Sequence, residues 1–176
     1  VIEDTAVAPD YLPEYIREFD QIIAKYGLTC VYYGHIATGE LHLRPLLNLK
    51  DPKDVKIYHS LAKEVAELVK KFRGSLSGEH GDGRLRGEFI PLMLGQHNYE
   101  LIRQLKYTWD PQNILNPGKI VDALPMDTDL RYTQDQPAPK LNTIFDFSEV
   151  GGMLKMAEKC SGSGDCRKLA FSGGTM

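Results

Sequence analysis

The sequence has few features of a membrane, secreted or nucleic-acid-binding protein. None of its apolar runs approaches the roughly 18 residues that a membrane-spanning helix needs. Its 21 lysine and arginine residues are outnumbered by 24 aspartate and glutamate residues and form no basic stripe, which argues against a nucleic-acid partner. A signal-peptide pattern is also lacking, and three cysteines are too few for a disulfide framework. We therefore expect a globular, cytoplasmic protein, with peripheral attachment to the inner face of the membrane as the alternative.

Both ends of the chain have the features of a cut polypeptide. The sequence begins at Val1 rather than at a methionine, and it stops at Thr175-Met176, just after a stretch rich in cysteine and glycine. We expect it to be a fragment of a longer protein. Nothing in the pattern indicates an oligomeric state.

The spacing of apolar residues predicts an α+β fold. Apolar side chains recur every three or four residues over 10–26, which is typical of an amphipathic helix, with Asp10 as its cap. A second such pattern follows Asp51-Pro52 and ends at Gly74. The other predicted elements are strands over 28–34 and 41–47 and helices over 84–95 and 97–109. This order favours an antiparallel sheet with helices packed on one face, followed by an irregular linker and tail.

Composition divides the chain into three parts. Residues 1–121 contain the predicted strands and the longer helices. Residues 122–143 are rich in proline, aspartate, threonine and glutamine, so we expect a linker with little core. Residues 144–176 begin with a predicted short helix near 149–159 and end in a stretch rich in glycine, serine and cysteine.

His35 and His42 flank a predicted tight turn. A two-residue turn at Thr38-Gly39 makes the two histidines direct cross-strand partners, with Cβ atoms roughly 5 Å apart. Two imidazoles at that separation can share one metal ion. The same face is predicted to hold Tyr33, Glu40 and Arg44, and the opposite, apolar face Ile36, Leu41 and Leu43. The pattern therefore predicts a site on one face of a hairpin.

A glycine-rich loop over Gly74–Gly83 carries Glu79 and His80 side by side. Its glycines permit close approach of a flat ligand or a phosphate, but the loop lacks the pattern of a nucleotide-binding P-loop. We expect Glu79 to be a third metal ligand and His80 to be a proton acceptor. Two imidazoles and a carboxylate suit Zn²⁺, Mn²⁺ or Fe²⁺ better than Ca²⁺ or Mg²⁺. His59 and His97 lack such neighbours in the sequence and are expected to be surface residues without partners.

Three blocks of the sequence resemble the C-terminal part of FAD-linked oxidases of the vanillyl-alcohol-oxidase and D-lactate-dehydrogenase type. This family includes glycolate oxidase subunits and D-2-hydroxyglutarate dehydrogenases. The blocks are Gly34-His35-x6-His42, Ser77–Gly83 and Trp109–Ile120, and with the helices between them the resemblance covers about residues 5–122. The resemblance implies an FAD-dependent dehydrogenase, assisted by a divalent metal, for a D-2-hydroxy acid such as lactate, glycolate or 2-hydroxyglutarate.

The resemblance also implies roles for individual residues. The implied metal ligands are His35, His42 and Glu79. The residue that matches His80 contacts the substrate hydroxyl and acts as a base. The segment around Asn116 is placed near the flavin, and we add Gly81 and Gly83 of the glycine loop as flavin contacts. The domain that holds most of the FAD is expected upstream of this chain, so the chain should neither hold FAD tightly nor be active alone.

This sequence departs from the family pattern in its first block. Relatives often read HAGDGNLHLN where this chain reads HIATGELHLR, so Glu40 and Arg44 each replace an asparagine. In some relatives the second asparagine helps to hold the substrate. Arg44 could clamp a substrate carboxylate with two hydrogen bonds, which an asparagine could not. We expect Arg44 and Tyr33 to contact the substrate.

The tail resembles the start of a ferredoxin-type iron–sulfur domain fused behind such oxidases. Cys160 and Cys166 are the implied cluster ligands, and the glycines between them let backbone N–H groups point at cluster sulfurs. Two thiolates cannot hold a cubane cluster, so we expect a 4Fe–4S cluster only in the full-length protein, with further ligands after Met176. Electrons would pass from the flavin to this cluster and then to a quinone or another carrier.

Two other functions remain open. The same ligands, without a flavin, could serve an iron oxygenase or a zinc hydrolase. A non-catalytic interaction domain is the third possibility, although the presence of both histidines and of the Glu-His pair counts against it.

Overall fold

A three-stranded antiparallel sheet forms the centre of the larger part of the chain. The computed structural model describes residues 2–137 and 139–167. The strands are β1 (Thr5–Ala6), β2 (Cys30–His35) and β3 (Glu40–Pro45), in the order β1-β3-β2. The helices that accompany them are α1 (Leu12–Lys25), α2 (Pro52–Lys71), α3 (Ile90–Leu94) and α4 (Gln96–Trp109). The predicted α+β class is confirmed.

Helix α1 lies where the sequence predicts it but lacks the predicted cap. Asp10 is part of a 3-10 helix, Pro9–Tyr11, that continues directly into α1. Tyr11 therefore occupies the N-cap position, without a side-chain hydrogen bond, and the prediction of Asp10 as the cap is wrong. The buried face of α1 consists of Leu12, Tyr15, Phe19 and Ile23.

Helix α2 has the predicted start. The Asp51 side chain accepts a hydrogen bond from the N–H of Lys53 at 2.8 Å, and Pro52 occupies the first turn, where its missing N–H costs nothing. Large apolar side chains of α2 that lie in the core are Leu61, Val65, Leu68 and Val69. Each such side chain contributes about 1.5–3 kcal/mol when fully buried. They share one core with α1 and with Leu41 and Leu43 of β3, so the helices cover one face of the sheet.

The core also includes two segments that the apolar pattern did not indicate. Strand β1 is too short for alternation to show, yet it pairs with β3 and buries Thr5. The hydroxyl of Tyr15 donates to Thr5 Oγ1 at 2.8 Å, which satisfies the phenol within the core. Met126 is fully buried in the same core, although it lies in the segment expected to be a linker.

The β2–β3 hairpin has a register two residues away from the predicted one. His35 lies opposite Glu40, and Tyr33 lies opposite His42. The prediction that the two histidines are direct cross-strand partners is therefore wrong, and they are diagonal neighbours instead. A shift of two residues preserves the face on which each strand residue lies, whereas a shift of one would have reversed it. The predicted set of site-facing residues therefore still shares one face.

The register differs because the connection is longer than a two-residue turn. Ile36–Thr38 form a 3-10 turn, and Gly39 follows with φ of 76°. Ile36 is consequently exposed, so its predicted place on the apolar face is wrong. Leu41 and Leu43 are buried on that face, as predicted.

A second compact unit begins at Gln136. Its described part contains a 3-10 turn at Ser148–Val150 and a short helix, α5 (Met153–Glu158), within the region where a helix was predicted. The end of the expected iron–sulfur segment, residues 168–176, lies outside the described residues. Across the described residues of the whole chain, none of the helices is long and apolar enough to cross a membrane.

Candidate metal centre

One face of the hairpin presents three side chains with metal-binding atoms. Alternation along β3 places Glu40 and His42 on the same face, and His35 lies opposite Glu40. The ring centroids of His35 and His42 are 6.0 Å apart. Glu40 and His42 are buried, whereas the His35 side chain is 64% exposed. The site therefore lies at the border between the protein interior and solvent.

Asp4 anchors the loop that carries Glu79 and His80. Its fully buried carboxylate accepts hydrogen bonds from the N–H groups of Glu79 at 3.1 Å and His80 at 2.9 Å, and from the hydroxyl of Ser77 at 2.5 Å. Burial would raise the pKa of Asp4, but these hydrogen bonds, with Arg86 nearby, hold that pKa below its ordinary value. The loop is thus tied to the residue just before β1, and Glu79 and His80 are presented together.

Three imidazole nitrogens surround one carboxylate oxygen. Glu79 Oε1 lies 3.1 Å from Nε2 of His42, 3.7 Å from Nε2 of His35 and 3.7 Å from Nε2 of His80. The rings of His42 and His80 are stacked, with centroids 5.3 Å apart. The structure therefore brings together the three expected metal ligands and places the expected base beside them.

The donor atoms of this cluster are spaced closely enough to share an ion. In each of two overlapping groups, one ligand atom per residue lies within 4.8 Å of the others. The two groups are His35, Glu40, His42 and Glu79, and Asp4, His42, Glu79 and His80. Imidazole and carboxylate donors are the set that Zn²⁺, Mn²⁺ and Fe²⁺ use in proteins.

The hydrogen-bonding surroundings of His42 leave its Nε2 lone pair facing Glu79. In the described part of the chain, Nδ1 of His42 faces oxygen acceptors: Glu40 Oε1 at 3.1 Å, the Glu3 carbonyl oxygen at 3.3 Å and Glu3 Oε2 at 3.6 Å. These acceptors assign the proton of the neutral ring to Nδ1. Nε2 of the neutral ring and Glu79 Oε1, 3.1 Å apart, then both present lone pairs to the space between them. The donor set fits a metal ion bound at Nε2.

Glu3 links His80 to Arg44. Glu3 Oε1 lies 3.0 Å from Nδ1 of His80, and Glu3 Oε2 accepts a hydrogen bond from Nε of Arg44 at 3.1 Å. Burial would raise the pKa of Glu3, but the hydrogen bonds from Arg44 and His80 hold that pKa below its ordinary value. The ionised Glu3 makes Nδ1 of His80 the donor and leaves the Nε2 lone pair of that ring on the side of Glu79.

Arg44 and Tyr33, the expected substrate contacts, lie at the exposed margin of the cluster. The guanidinium carbon of Arg44 is 5.2 Å from the ring centroid of Tyr33, which in turn is 4.8 Å from that of His42. The Arg44 side chain is 55% exposed. A guanidinium has five N–H groups, so the contact of Nε with Glu3 leaves others that can bind a carboxylate.

Glu3 and Asp4 are functional candidates that sequence reasoning missed. The residues they contact in the glycine loop are 73 to 77 positions away along the chain. The pairing of β1 with β3 brings the two acidic residues to the site, and a two-residue strand has no detectable period. In the sequence, two adjacent acidic residues shortly before the apolar Val7 were the only sign that this segment could carry functional residues.

The two loops expected to face the flavin are joined by a backbone hydrogen bond. The N–H of Ile120 donates to the carbonyl oxygen of Gly83 at 3.0 Å. Gly81 and Gly83 adopt φ of 80° and 52°, a left-handed conformation that glycine adopts without steric cost. Asn116 is exposed and has φ of 52°.

The two remaining histidines differ from one another. His59 is half-buried on α2, and its Nε2 lies 2.7 Å from Glu88 Oε1. The prediction of a surface residue without a partner is wrong for His59, because Glu88, 29 residues further along the chain, lies beside α2. His97 is exposed in the first turn of α4, as predicted.

The two tail cysteines are exposed free thiols in the second unit. The N–H of Gly162 points at Sγ of Cys160, at 3.4 Å. Cys166 lies in a 3-10 turn, Asp165–Arg167. Gly162 thus directs one backbone donor toward the sulfur of Cys160.

The chain is similar to several dehydrogenases. The D-2-hydroxyglutarate dehydrogenase of Pseudomonas putida is 37% identical over 94% of this chain, which covers 16% of that protein. The enzyme of the same name from Escherichia coli is 36% identical over 93% of this chain and 16% of its own length. The D-lactate dehydrogenase of Archaeoglobus fulgidus is 35% identical over 69% of this chain and 26% of its own length. The chain therefore spans a small part of the relatives it matches.

A family model described as FAD linked oxidases, C-terminal domain, matches residues 1–120. The match includes both hairpin histidines, the glycine loop and the segment around Asn116. The chain therefore belongs to the FAD-linked oxidase family, with residues 1–120 as its C-terminal domain.

Proposed function

We propose that this chain supplies the metal-binding and proton-transfer residues of an FAD-linked dehydrogenase that oxidises a D-2-hydroxy acid. The observation that carries the proposal is the convergence of three imidazole Nε2 atoms on Glu79 Oε1. Relatives named D-2-hydroxyglutarate dehydrogenase and D-lactate dehydrogenase both match this chain, which supports a substrate of the D-2-hydroxy acid class. The substrate in this proposal is a D-2-hydroxy acid of the 2-hydroxyglutarate, lactate or glycolate type.

The metal ligands in this proposal are His35 and His42 through Nε2 and Glu79 through its carboxylate. Two imidazoles and one carboxylate fit Zn²⁺, Mn²⁺ or Fe²⁺. Such an ion supplies Lewis-acid polarisation of the hydroxyl and carboxylate oxygens of a 2-hydroxy acid. The protein contributes a rigid pair of strands for two of the ligands and the Asp4-anchored loop for the third.

His80 accepts the proton of the substrate hydroxyl at Nε2. Glu3 Oε1, 3.0 Å from Nδ1, keeps the opposite nitrogen protonated and stabilises the imidazolium that forms. FAD supplies the acceptor for the hydride that leaves C2 of the substrate. Loss of the hydroxyl proton to His80 and of the C2 hydride, with its two electrons, would convert the 2-hydroxy acid into a 2-oxo acid.

Arg44 binds a carboxylate of the substrate in this proposal. Its guanidinium lies over the Tyr33 ring and is held at Nε by Glu3, so the group is positioned before substrate arrives. Replacement by alanine should raise KM for 2-hydroxy acids by about 10-fold or more, because a charge-assisted hydrogen bond contributes roughly 1.5–3 kcal/mol. An unchanged KM in Arg44→Ala would rule out this role.

The proposed organisation has three parts: the oxidase domain over 1–121, a connecting segment over 122–143 and the start of an iron–sulfur domain over 144–176. The first part of the connecting segment packs on the oxidase domain through Met126. Gly81, Gly83 and Asn116 would lie near the flavin, most of which is held by a domain outside this chain. Support comes from the backbone hydrogen bond that ties the two loops together.

Cys160 and Cys166 would ligate a 4Fe–4S cluster, with further cysteines beyond the chain. The N–H of Gly162, aimed at Cys160 Sγ, supports this. The cluster would carry electrons from the flavin to a quinone or another carrier, in a protein of the cytoplasm, with peripheral attachment to the membrane as an alternative.

The two competing functions have weaker support. The match of residues 1–120 to a domain of FAD-linked oxidases argues against a flavin-independent oxygenase or hydrolase. A non-catalytic interaction domain has no need for three imidazoles directed at one carboxylate oxygen.

Anaerobic bleaching of the flavin in the full-length polypeptide tests the proposal. Of a panel of D- and L-2-hydroxy acids, only a D-isomer should bleach the flavin. A metal chelator should slow the bleaching. His80→Ala should reduce the rate by about 10²–10⁴-fold, the usual contribution of a general base. His97→Ala, which removes an exposed histidine on α4, is the matched control and should react like the wild type. Near-normal bleaching by His80→Ala would refute the assignment of the base.

A further inference from the structure

We propose that Glu40 is a positioning residue that couples the two histidine ligands, an inference that rests on the metal centre proposed above. Glu40 lies opposite His35 in the hairpin register and two residues before His42. Its carboxylate faces the backbone N–H of His35 and the imidazole ring of His42. One carboxylate thereby fixes the relative position of both ligands.

The Glu40 carboxylate is buried, and each of its oxygens faces one of the two histidines. Its side chain is 6% exposed. Oε2 accepts a hydrogen bond from the backbone N–H of His35 at 3.1 Å, and Oε1 lies 3.1 Å from Nδ1 of His42. Gly78 packs against the side chain so closely that a Cβ at that position would be 2.5 Å from Glu40 Cγ. The carboxylate therefore has little room to move away from the histidines.

Oε1 of Glu40 is an unpartnered oxygen directed at the proposed ligand His42. It is buried and has no hydrogen-bond donor, because the His42 Nδ1–H is directed to the Glu3 carbonyl oxygen at 3.3 Å. A buried carboxylate oxygen without a donor costs roughly 1–3 kcal/mol. Rotation of the His42 ring toward Oε1 recovers this free energy. Glu40 thus favours ring orientations in which Nδ1 carries the proton and Nε2 stays free as a ligand.

The two partners explain why a carboxylate rather than an amide occupies this position. The His35 N–H and the His42 Nδ1–H are both donors, and a carboxylate offers one acceptor oxygen to each. A glutamine has nearly the same shape but only one acceptor oxygen. Whichever way its amide is turned, its NH₂ group faces one of the two donors. Glu40→Gln therefore disturbs the coupling with little change in packing.

Metal affinity in the full-length polypeptide is the first test. Zn²⁺ binding is measured by competition with a chromophoric chelator in wild type, Glu40→Gln, Glu79→Gln and Glu88→Gln. Glu88→Gln is the matched control, because it changes a different Glu–His pair, the one with His59. We expect Glu40→Gln to weaken Zn²⁺ binding by about 10–100-fold, the usual effect of removing an orienting partner of a metal ligand. We expect Glu88→Gln to leave it unchanged.

The tautomer of His42 is the second test, and it needs no metal. Nitrogen chemical shifts of ¹⁵N-histidine-labelled, metal-free protein distinguish a ring protonated at Nδ1 from one protonated at Nε2, and His42→Ala assigns the signals. We expect the Nδ1–H form in the wild type and a shift toward the Nε2–H form in Glu40→Gln. Melting temperatures of both variants show whether the fold is retained, and Glu40→Asp, which keeps two acceptor oxygens, replaces Glu40→Gln if that variant unfolds.

The outcomes separate this inference from the proposed function. If Glu40→Gln matches the wild type in Zn²⁺ affinity while Glu79→Gln loses it, the role of Glu40 is wrong and the metal centre stands. If the wild type itself binds Zn²⁺ no better than Glu79→Gln, the metal centre is wrong. The His42 ring shifts then decide the role of Glu40, and identical shifts in wild type and Glu40→Gln would overturn it.

Discussion

Asp4 and Asp110 each hold a loop of the oxidase domain, but they reach it over very different distances along the chain. Asp4 accepts hydrogen bonds from Ser77, Glu79 and His80, more than 70 residues away. Asp110 accepts them from the N–H groups of residues four and five positions ahead, at 2.9 and 2.8 Å, and from the Lys106 ammonium. In both loops a carboxylate accepts hydrogen bonds from backbone N–H groups. In the first loop the contacts are tertiary, and in the second they are local in sequence.

The difference determines what each loop depends on. The loop after α4 is held by hydrogen bonds between residues four and five positions apart, so it does not depend on strand pairing. The loop with Glu79 and His80 exists only when β1 is paired with β3, because Asp4 directly precedes that strand. Formation of the proposed metal centre is thus coupled to folding of the sheet, whereas the turn after Asp110 is held by local hydrogen bonds.

Removal of the Asp4 carboxylate should have the largest effect. Asp4→Ala removes the acceptor of the N–H groups of Glu79 and His80 and the fully buried carboxylate that faces the guanidinium of Arg86. We expect a loss of about 3–5 kcal/mol in the free energy of unfolding and loss of Zn²⁺ binding. Chemical denaturation and chelator competition measure the two effects.

Asp10→Ala is the control for Asp4→Ala, since it removes an exposed aspartate on the 3-10 turn before α1. It should change stability by less than about 0.5 kcal/mol. If Asp4→Ala retained wild-type Zn²⁺ affinity, Asp4 would not be the anchor of the ligand loop.

Two glycines of the Asp4-anchored loop should differ in their effect on the metal centre. A Cβ at Gly78 would lie 2.5 Å from Glu40 Cγ, so Gly78→Ala must displace Glu40 or the loop, at about 1–3 kcal/mol. A Cβ at Gly81 would meet no atom within 4 Å, and only the φ of 80° resists it, at roughly 1–2 kcal/mol. Both variants should lose stability, but only Gly78→Ala should weaken Zn²⁺ binding. Equal Zn²⁺ affinities would contradict the close packing of Gly78 on Glu40.

Removal of the Asp110 carboxylate should act locally. Asp110→Ala frees the N–H groups of Ile114 and Leu115 and leaves the core untouched. Hydrogen exchange of those two amides should accelerate, the melting temperature should fall by less than half as much as in Asp4→Ala, and Zn²⁺ affinity should not change. Weakened Zn²⁺ binding in Asp110→Ala would show that the two loops are coupled after all.

The smallest expected effect is a difference between the wild type and Asp4→Asn in how the free energy of unfolding depends on pH in acid. The pKa of Asp4 is below its ordinary value of 3.8, so its contribution is fully present above that pH in the wild type. The contribution is lost as the pH falls from there through the lowered pKa of the folded state. The wild type should therefore lose more stability than Asp4→Asn between about pH 4 and pH 2. Parallel curves of unfolding free energy against pH would show that Asp4 does not titrate as described.

Local patterns predicted most of the fold. The helical period of apolar residues placed α1 and α2, and Asp51-Pro52 marked the start of α2 because its cap is a local hydrogen bond. The alternation around His42 put Leu41 on the apolar face, and that assignment held because the register error was two residues. The prediction of the exact pairing was wrong, because a glycine at position 39 is compatible both with a two-residue turn and with the end of a 3-10 turn.

The candidate site was only half predictable. His35, His42, Glu79 and His80 stand out as metal-binding or proton-accepting types in glycine-rich turns. Glu3 and Asp4 do not, because their partners are assigned by the pairing of a two-residue strand that no pattern reveals. Sequence therefore indicated the residues that would contact the ion, and the structure was needed for those that orient them.

Metal content of the full-length polypeptide is the most direct test of the central claim that His35, His42 and Glu79 bind one ion. After equilibration with Zn²⁺ and removal of excess, the wild type and His97→Ala should retain the ion at this site, and His42→Ala and Glu79→Gln should lose it. Mass spectrometry of the metal gives the stoichiometry. Equal metal content in all four proteins would show that these side chains do not form a metal centre.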